Sequence, residues 1–393
     1  MPQVFKTAKL GSLELKNWLI HSATFECMAD ENGAVTDRLV KRYVNLAKGE
    51  VGLIIPGYLY VDPRGKAFAG QTGIHDDRLI PGLNRLVKSV HAAGGRIAFQ
   101  LAHGGRQCPR KVIGKAPLAP SGFGRDPASM NKPAAATEAD IQEVIDSFAK
   151  AAKRAFDAGA DAIQLHCAHG YLLNEFLSPF FNRRHDQWGG SPENNFRLLK
   201  HVILAIQQTS GSDRMVMVKM NTDDFTPQKG ITPDLAVQYA AWLADLGVAA
   251  LEVSSGTYYT FHTVRGDIPI DDLARALPWW MRPMAKVIFK KQVSPCRFQK
   301  LYHLPAAEKI KPVVGDMALI LVGGVRTLSE MDKVLSESKA DFLSMSRPFI
   351  REPFLAKRMQ QGKTNAATCI SCNKCFAAVF NGLPLRCYAD GLP

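Results

Sequence analysis

Eight short runs rich in valine, isoleucine and leucine punctuate this chain of 393 residues, and longer amphipathic stretches separate them. The runs fall at residues 18–22, 51–56, 96–101, 160–166, 214–220, 249–254, 318–322 and 341–345, and the stretches at 37–49, 79–93, 138–158, 192–208, 233–246, 328–336 and 352–361. A short apolar run without alternation is the mark of a strand buried on both faces, and a helix between two such strands makes them parallel. Eight of these units predict an α/β chain whose sheet closes on itself, a single (β/α)8 TIM barrel. Three additions are expected: an N-terminal hairpin, a long loop at 104–136 and an inserted stretch at 268–304. The loop, rich in Gly, Pro and Ser, fits a cover over the barrel mouth or plain surface. The insert, with Trp279, Trp280 and Met281, fits packing against the barrel side or a subunit contact. Two domains follow, the barrel over 1–365 and a cysteine-rich tail over 366–393 packed on it.

Local signals agree with several of these helices. Thr137 stands before a run with Asp140 at its third position, and Thr232 with Pro233 puts proline where its missing N–H is harmless. Hydrophobic residues at 46% and charged residues at 22% describe an ordinary globular chain and exclude a disordered or fibrous one. No apolar run approaches the roughly 18–20 residues that span a bilayer, and the first residues lack a leader's pattern. A cytoplasmic protein without a membrane partner is expected. Lys and Arg exceed Asp and Glu by 49 to 36, a formal charge of +13. These cations are scattered, which argues against nucleic acid as a partner and suits anionic cofactors or acyl substrates. A homo-oligomer stays open.

In such barrels the working groups sit where strands end and loops begin. The fourth run continues as AIQLHCAHGYLLNEF and places His166, His169 and Tyr171 in one short turn. Two imidazoles and a phenol there can hydrogen-bond a carbonyl or nitro oxygen, and the phenol can deliver a proton. The last two runs end in LVGGVRT and MSRPF. Gly323 and Gly324 allow backbone N–H groups near an anion, and Ser346 with Arg347 completes a phosphate cradle. Four of the eight cysteines, Cys369, Cys372, Cys375 and Cys387, crowd into C-x2-C-x2-C-x11-C. That spacing suits a four-iron, four-sulfur cluster or a zinc ion, and separate cysteine pairs, which zinc prefers, are absent.

The string HCAHGYL, followed by FLSP, NRRHDQWGGS and ENNFRLL, resembles the signature of the old yellow enzyme family of flavin-dependent ene reductases. Trp188 replaces a common tyrosine and Asn195 a common arginine; Ser346 stands where glycine is usual. The resemblance implies FMN as prosthetic group and NAD(P)H as reductant. It implies that Ser22, Ala23, Thr24, Gln100 and Lys219 lie beside the flavin ring, with Lys219 in place of the usual arginine. It further implies that His166 and His169 polarise the acceptor while Tyr171 protonates it. The expected activity is therefore NAD(P)H:flavin oxidoreductase chemistry ending on an electron-poor alkene, such as an α,β-unsaturated carbonyl.

The cysteine spacing is similar to that of the trimethylamine dehydrogenase and dienoyl-CoA reductase branch, whose cluster sits beside the flavin barrel. The alternative reading is thus an iron-sulfur flavoprotein that exchanges electrons with a separate protein. Because the sequence ends at Pro393, no partner for the cluster is expected within the chain, and the cysteines could instead bind zinc or stay free. A basic scaffold that binds nucleic acid without catalysis is the third reading.

Overall fold

The computed structural model describes residues 2–126, 130–258, 262–293 and 296–393, with the side chains of 291–293 left aside. Positions 127–129 of the long loop and 294–295 of the insert therefore lie outside the described residues. The strands are β1 (Ala8–Leu10), β2 (Leu13–Leu15), β3 (Leu19–His21), β4 (Leu53–Ile54), β5 (Leu59–Tyr60), β6 (Ala98–Ala102), β7 (Leu118–Ala119), β8 (Ala134–Ala135), β9 (Ala162–Cys167), β10 (Val216–Asn221), β11 (Ala250–Ser254), β12 (Ala318–Val322) and β13 (Phe342–Met345).

Nine of them form one parallel sheet in the order β4-β3-β13-β12-β11-β10-β9-β6-β5. The sheet closes because Ile54 in β4 bridges Ile97 just ahead of β6, with the Ile54 N–H donating to the Arg96 carbonyl at 2.9 Å. Eight strands thus complete the predicted barrel, and β5 is a rim extension paired only with β6. The run at 51–56 yields only the short strand β4, and β5 follows beyond Gly57.

The antiparallel hairpin β1–β2 plugs the N-terminal end of the barrel. Its Ala8, Leu10 and Leu15 pack on Ile20, Leu53, Ala98, Met217, Ile320 and Phe342, the lowest interior layer. A larger cluster fills the space between sheet and helices. Thr137 and Asp140 form the expected capping box on helix Glu138–Asp157, and the Thr232 side chain caps Pro233–Asp245. The stretch at 352–361 forms helix only from Leu355 to Gln360. Pro353 separates it from helix Arg347–Arg351, since proline disfavours helix at the residue before it.

None of the described residues of loop 104–136 lines the cavity at the barrel mouth. The loop packs sideways against helix Leu172–Leu177, its backbone bonds drawn into its own pair β7–β8 and a short helix Arg110–Ile113. The cover comes from the tail: Phe376, Val379, Phe380 and Leu385 lie over the mouth. The insert packs on that tail, with Leu273 and Cys296 against Ala377, and also on the barrel, through Leu301 and Leu304 and through His303, which bonds Ser255 and the Val322 carbonyl. Trp279 and Trp280 are 78% and 64% exposed.

Candidate active site

The upper interior of a barrel is ordinarily filled with branched aliphatic side chains. Here strand ends supply polar ones instead. Gln100 of β6 donates from Nε2 to Gln164 Oε1 of β9 at 2.7 Å, and Gln164 Nε2 donates to Glu252 Oε2 of β11 at 2.9 Å. Glu252 Oε1 accepts from the Ser22 hydroxyl at 2.7 Å and from Ser344 of β13 at 2.9 Å. Lys219 of β10, in register with His166 and Glu252, donates to Ser22 Oγ at 2.8 Å and lies 3.5 Å from Glu252. All six side chains are buried, so the network is satisfied internally, as burial of charge requires.

Above this network opens a cavity of about 180 Å³. Ser22, Ala23, Thr24, His169, Tyr171, Lys219, Ser346 and Arg347 line it, eight of the residues singled out from sequence. His166 stands just behind, its ring edge-on to His169 at 5.1 Å and to Tyr171 at 4.8 Å. Gln100 reaches the cavity only through Gln164 and Glu252. The β9 turn has unusual backbone, with His169 at φ 64° and Gly170 at φ 76°. Such left-handed geometry persists only where neighbours enforce it. Gln107 Nε2 donates to the His169 and Gly170 carbonyls at 2.8 and 2.6 Å, and the Asn174 and Asn221 side chains accept the Gly170 and His169 N–H groups.

Burial sets the protonation states. His166 and His169 are held well below the ordinary histidine range, first by desolvation and then by neighbouring cations such as Lys219. The Ala168 N–H donates to His166 Nδ1 at 3.3 Å, which fixes the neutral tautomer with its proton on Nε2. Desolvation, with two nearby phenols, pushes Tyr171 well above the ordinary phenol range. The site therefore presents neutral imidazoles and a protonated phenol at neutral pH.

Gly323 and Gly324, at φ 107° and 79°, do not line the cavity. They lie beneath the segment at 299–303: a Cβ on Gly323 would meet the Tyr302 ring at 2.6 Å, and one on Gly324 would strike Gln299. Beside them burial, and then the neighbouring Arg347, lower the affinity of Arg326 for its proton, and no carboxylate forms a salt bridge with either guanidinium among the described residues. Arg347 donates to the Arg265 carbonyl at 2.6 Å and to Asn373 at 2.5 Å.

The four tail cysteines ring a second, smaller cavity of about 20 Å³. Cys375, Arg347 and Ile350 line both cavities and so form the partition between them. No group of three or more ligating side chains converges on a single-ion site among the described residues. Burial raises the Cys375 thiol to about 12.

Sequence reading missed Tyr58, Gln164, Glu252, Tyr258 and Ser344. Gln164 and Glu252 carry a signal, since each is a lone polar residue inside an apolar run; Tyr58 and Tyr258 sit in loops and carry none. Trp188, the departure noted above, donates its indole N–H to Glu138 at 2.6 Å and does not line the cavity.

A sequence profile of the NADH:flavin oxidoreductase / NADH oxidase family matches residues 3–366. The chain belongs to this family. It is 34% identical over 393 residues to an NADH oxidase of Thermoanaerobacter brockii, covering 98% of this chain and 55% of that one. It is 32% identical over 384 residues to a 4,4'-dithiodibutanoate disulfide reductase of Rhodococcus erythropolis, covering 97% of this chain and 94% of the relative. The chain thus spans about half the length of the first relative. Among solved structures, an old yellow enzyme homologue from Zymomonas mobilis superposes with a TM-score of 0.75 at 26% identity, covering 94% of this chain and 96% of that one.

Membership implies FMN, and the donor set suits it. Two guanidinium groups without carboxylate partners fit a phosphate, and a buried amine with an amide network fits the polar edge of a flavin ring.

Proposed function

We propose that the protein is an FMN-dependent oxidoreductase that carries hydride from NAD(P)H to an electron-poor alkene, such as an α,β-unsaturated carbonyl compound. One observation carries this reading: His169 and Tyr171, with His166 directly behind, face the same cavity as Lys219 and Ser22. Bound FMN would supply a ring that accepts hydride from the nicotinamide and returns it to the alkene. Ser22, Ala23, Thr24 and Lys219 would hold that ring, with Gln100 supporting them from behind through Gln164 and Glu252, and Arg347 with Ser346 would hold its phosphate. The neutral imidazoles donate hydrogen bonds to the acceptor's oxygen, where negative charge develops as hydride arrives. A donor placed there is commonly worth about 3–4 kcal/mol of barrier. Tyr171 holds its proton until the α-carbon becomes basic enough to take it.

The name of the Rhodococcus relative brings disulfides into the set of two-electron acceptors to be tried. The test is to extract the prosthetic group, then titrate the purified protein anaerobically with NADH, NADPH, cyclohexenone and 4,4'-dithiodibutanoate. Yellow protein bleached by a nicotinamide and recoloured by the enone is expected. A colourless preparation that refuses added FMN, or recolouring by the disulfide alone, would overturn the reading.

A second reading has its own support. A single zinc ion at about 2.3 Å from each sulfur would draw four thiolates within about 3.8 Å of one another, whereas a cluster fills a larger cage. Four cysteines around one cavity, three of them spaced C-x2-C-x2-C, suit the cluster. Cys375, on the wall of both cavities, would then lie between cluster and flavin, in a protein that passes electrons to a separate partner. Iron and acid-labile sulfide on analysis, with a brown colour, support it; stoichiometric zinc refutes it.

A further inference from the structure

We propose that Tyr58 and Tyr258 relay protons to Tyr171, restoring its phenolic O–H after each delivery to the substrate. The proposal deepens the reading of Tyr171 as proton donor and rests on it. The Tyr171 hydroxyl donates to the Tyr58 hydroxyl at 2.7 Å, and Tyr258 stands on the wall of the same cavity. All three rings line the cavity. Tyr171 is 2% exposed and Tyr58 9%, whereas Tyr258 is only half-buried. Bulk water therefore meets the outer phenols before it meets Tyr171.

The need for a relay follows from charge. As hydride joins the β-carbon, the Tyr171 O–H bond breaks and its proton joins the α-carbon, leaving a buried phenolate. Such an anion is costly unless donors face it. Tyr58 and Tyr258 turn their O–H bonds toward it, and one passes its proton to the Tyr171 oxygen. Water then reprotonates the outer phenol. The alkene gains one hydride from the nicotinamide and one proton from water, and all three tyrosines end as they began. Tyr58 is fixed for this duty: Gln71 Nε2 donates to its carbonyl at 3.2 Å, and its ring lies 5.1 Å from that of Tyr171 and 6.0 Å from Phe25.

The experiment is anaerobic stopped flow on FMN-loaded protein, comparing Tyr58→Phe, Tyr258→Phe, Tyr171→Phe and the double variant Tyr58→Phe/Tyr171→Phe. Three steps are read: bleaching by NADH, reoxidation by cyclohexenone, and reoxidation by ferricyanide, which needs no proton on carbon. Loss of either outer phenol should slow the enone step about 10-fold or more, the low side of general acid effects. Bleaching and ferricyanide reoxidation should stay within about twofold, and the double variant should be no slower than Tyr171→Phe. If Tyr171→Phe slows the enone step while both outer variants match the parent, the relay falls and the donor role stands. If Tyr171→Phe is itself without effect, the donor role falls and the relay with it. Equal slowing of the enone and ferricyanide steps in the outer variants would mean packing, and would also overturn the relay.

Discussion

The barrel's strand ends and the cysteine tail both build the cavity, but they hold their residues by different means. Lys219, His166 and Glu252 are set by neighbouring positions in three parallel strands, so the backbone ladder fixes their spacing before any side chain packs. The tail has no strand in the sheet. Its helix Lys374–Phe380 rests on a small cluster with Phe25, Tyr58, Tyr171 and Ile350, and its Leu385 N–H donates to the Glu26 carbonyl at 2.8 Å. One region is rigid by topology, the other by contact. Elements held by few apolar contacts open first in native proteins.

The largest expected effect lies in the ladder region. Glu252→Ala removes the acceptor of Ser22, Ser344 and Gln164 and leaves the Lys219 amine buried beside a hole. Breaking one side of a buried pair is destabilising by about 3–5 kcal/mol. The expected result is a matching fall in urea unfolding free energy, partly restored by adding Lys219→Met. No restoration would show that the hydroxyls and amide, rather than the charge, depend on Glu252.

A somewhat smaller and more local effect is expected in the tail. Leu385 is buried, and Leu→Ala at such a site ranges over about 2–5 kcal/mol. If the tail opens on its own, Leu385→Ala speeds proteolytic clipping after residue 366 and weakens FMN binding, while the main unfolding midpoint stays nearly fixed. A midpoint that falls by the full amount would erase the distinction between the two regions.

How much of this was legible in the sequence follows the same division. Strand ends are local: a buried run followed by HCAHGY places His166, His169 and Tyr171 before any tertiary contact is known. Eight runs also fix the barrel, because parallel strands joined by helices admit few other closures. Whether loop 104–136 covers the mouth or is plain surface was left open, and the cover comes from the tail. Loop 104–136 has the composition of a lid, but which of two surface segments lies over the mouth depends on where the chain returns, and composition does not encode that. Tyr58 was missed for the same reason, since its phenol matters only through a residue 113 positions away. The run at 18–22 led to Ser22, yet its bond to Glu252 joins strands 230 residues apart.

Acid provides a third comparison. His21 and His303 are lowered to about 3 and His103 to about 4 by burial, and His166 and His169 lie well below the ordinary range. The unfolded chain takes protons on these rings near pH 6.5, whereas the folded one does not. Their contribution to stability is therefore complete above pH about 6.5 and declines as pH falls toward about 3, by up to about 1.4 kcal/mol per pH unit for each ring. Buried carboxyls whose affinity for protons is raised, Glu26, Glu175 and Asp224, act in the opposite sense and flatten the net curve. His303→Gln isolates one ring: the slope of unfolding free energy between pH 4.5 and 5.5 should drop by about 1.4 kcal/mol per pH unit. The tail carries no histidine. Its proteolytic opening should therefore not steepen over the same interval, and an equally steep acid response in the tail would show that it moves with the mouth.

The smallest expected effect belongs to the insert that braces the tail from outside. Trp279 and Trp280 are among the most exposed large apolar side chains of the described residues, and neither belongs to a buried cluster. Surface changes away from such clusters usually stay within about 0.5 kcal/mol. Trp279→Ser/Trp280→Ser should leave unfolding free energy, flavin content and the rate of tail clipping unchanged. Leu273, a few residues earlier, packs on Ala377 and is buried, so Leu273→Ala should speed clipping as Leu385→Ala does. Should the paired tryptophan change speed it instead, the support for the tail would lie in the exposed face of the insert, and contact burial would not be what ranks the two regions.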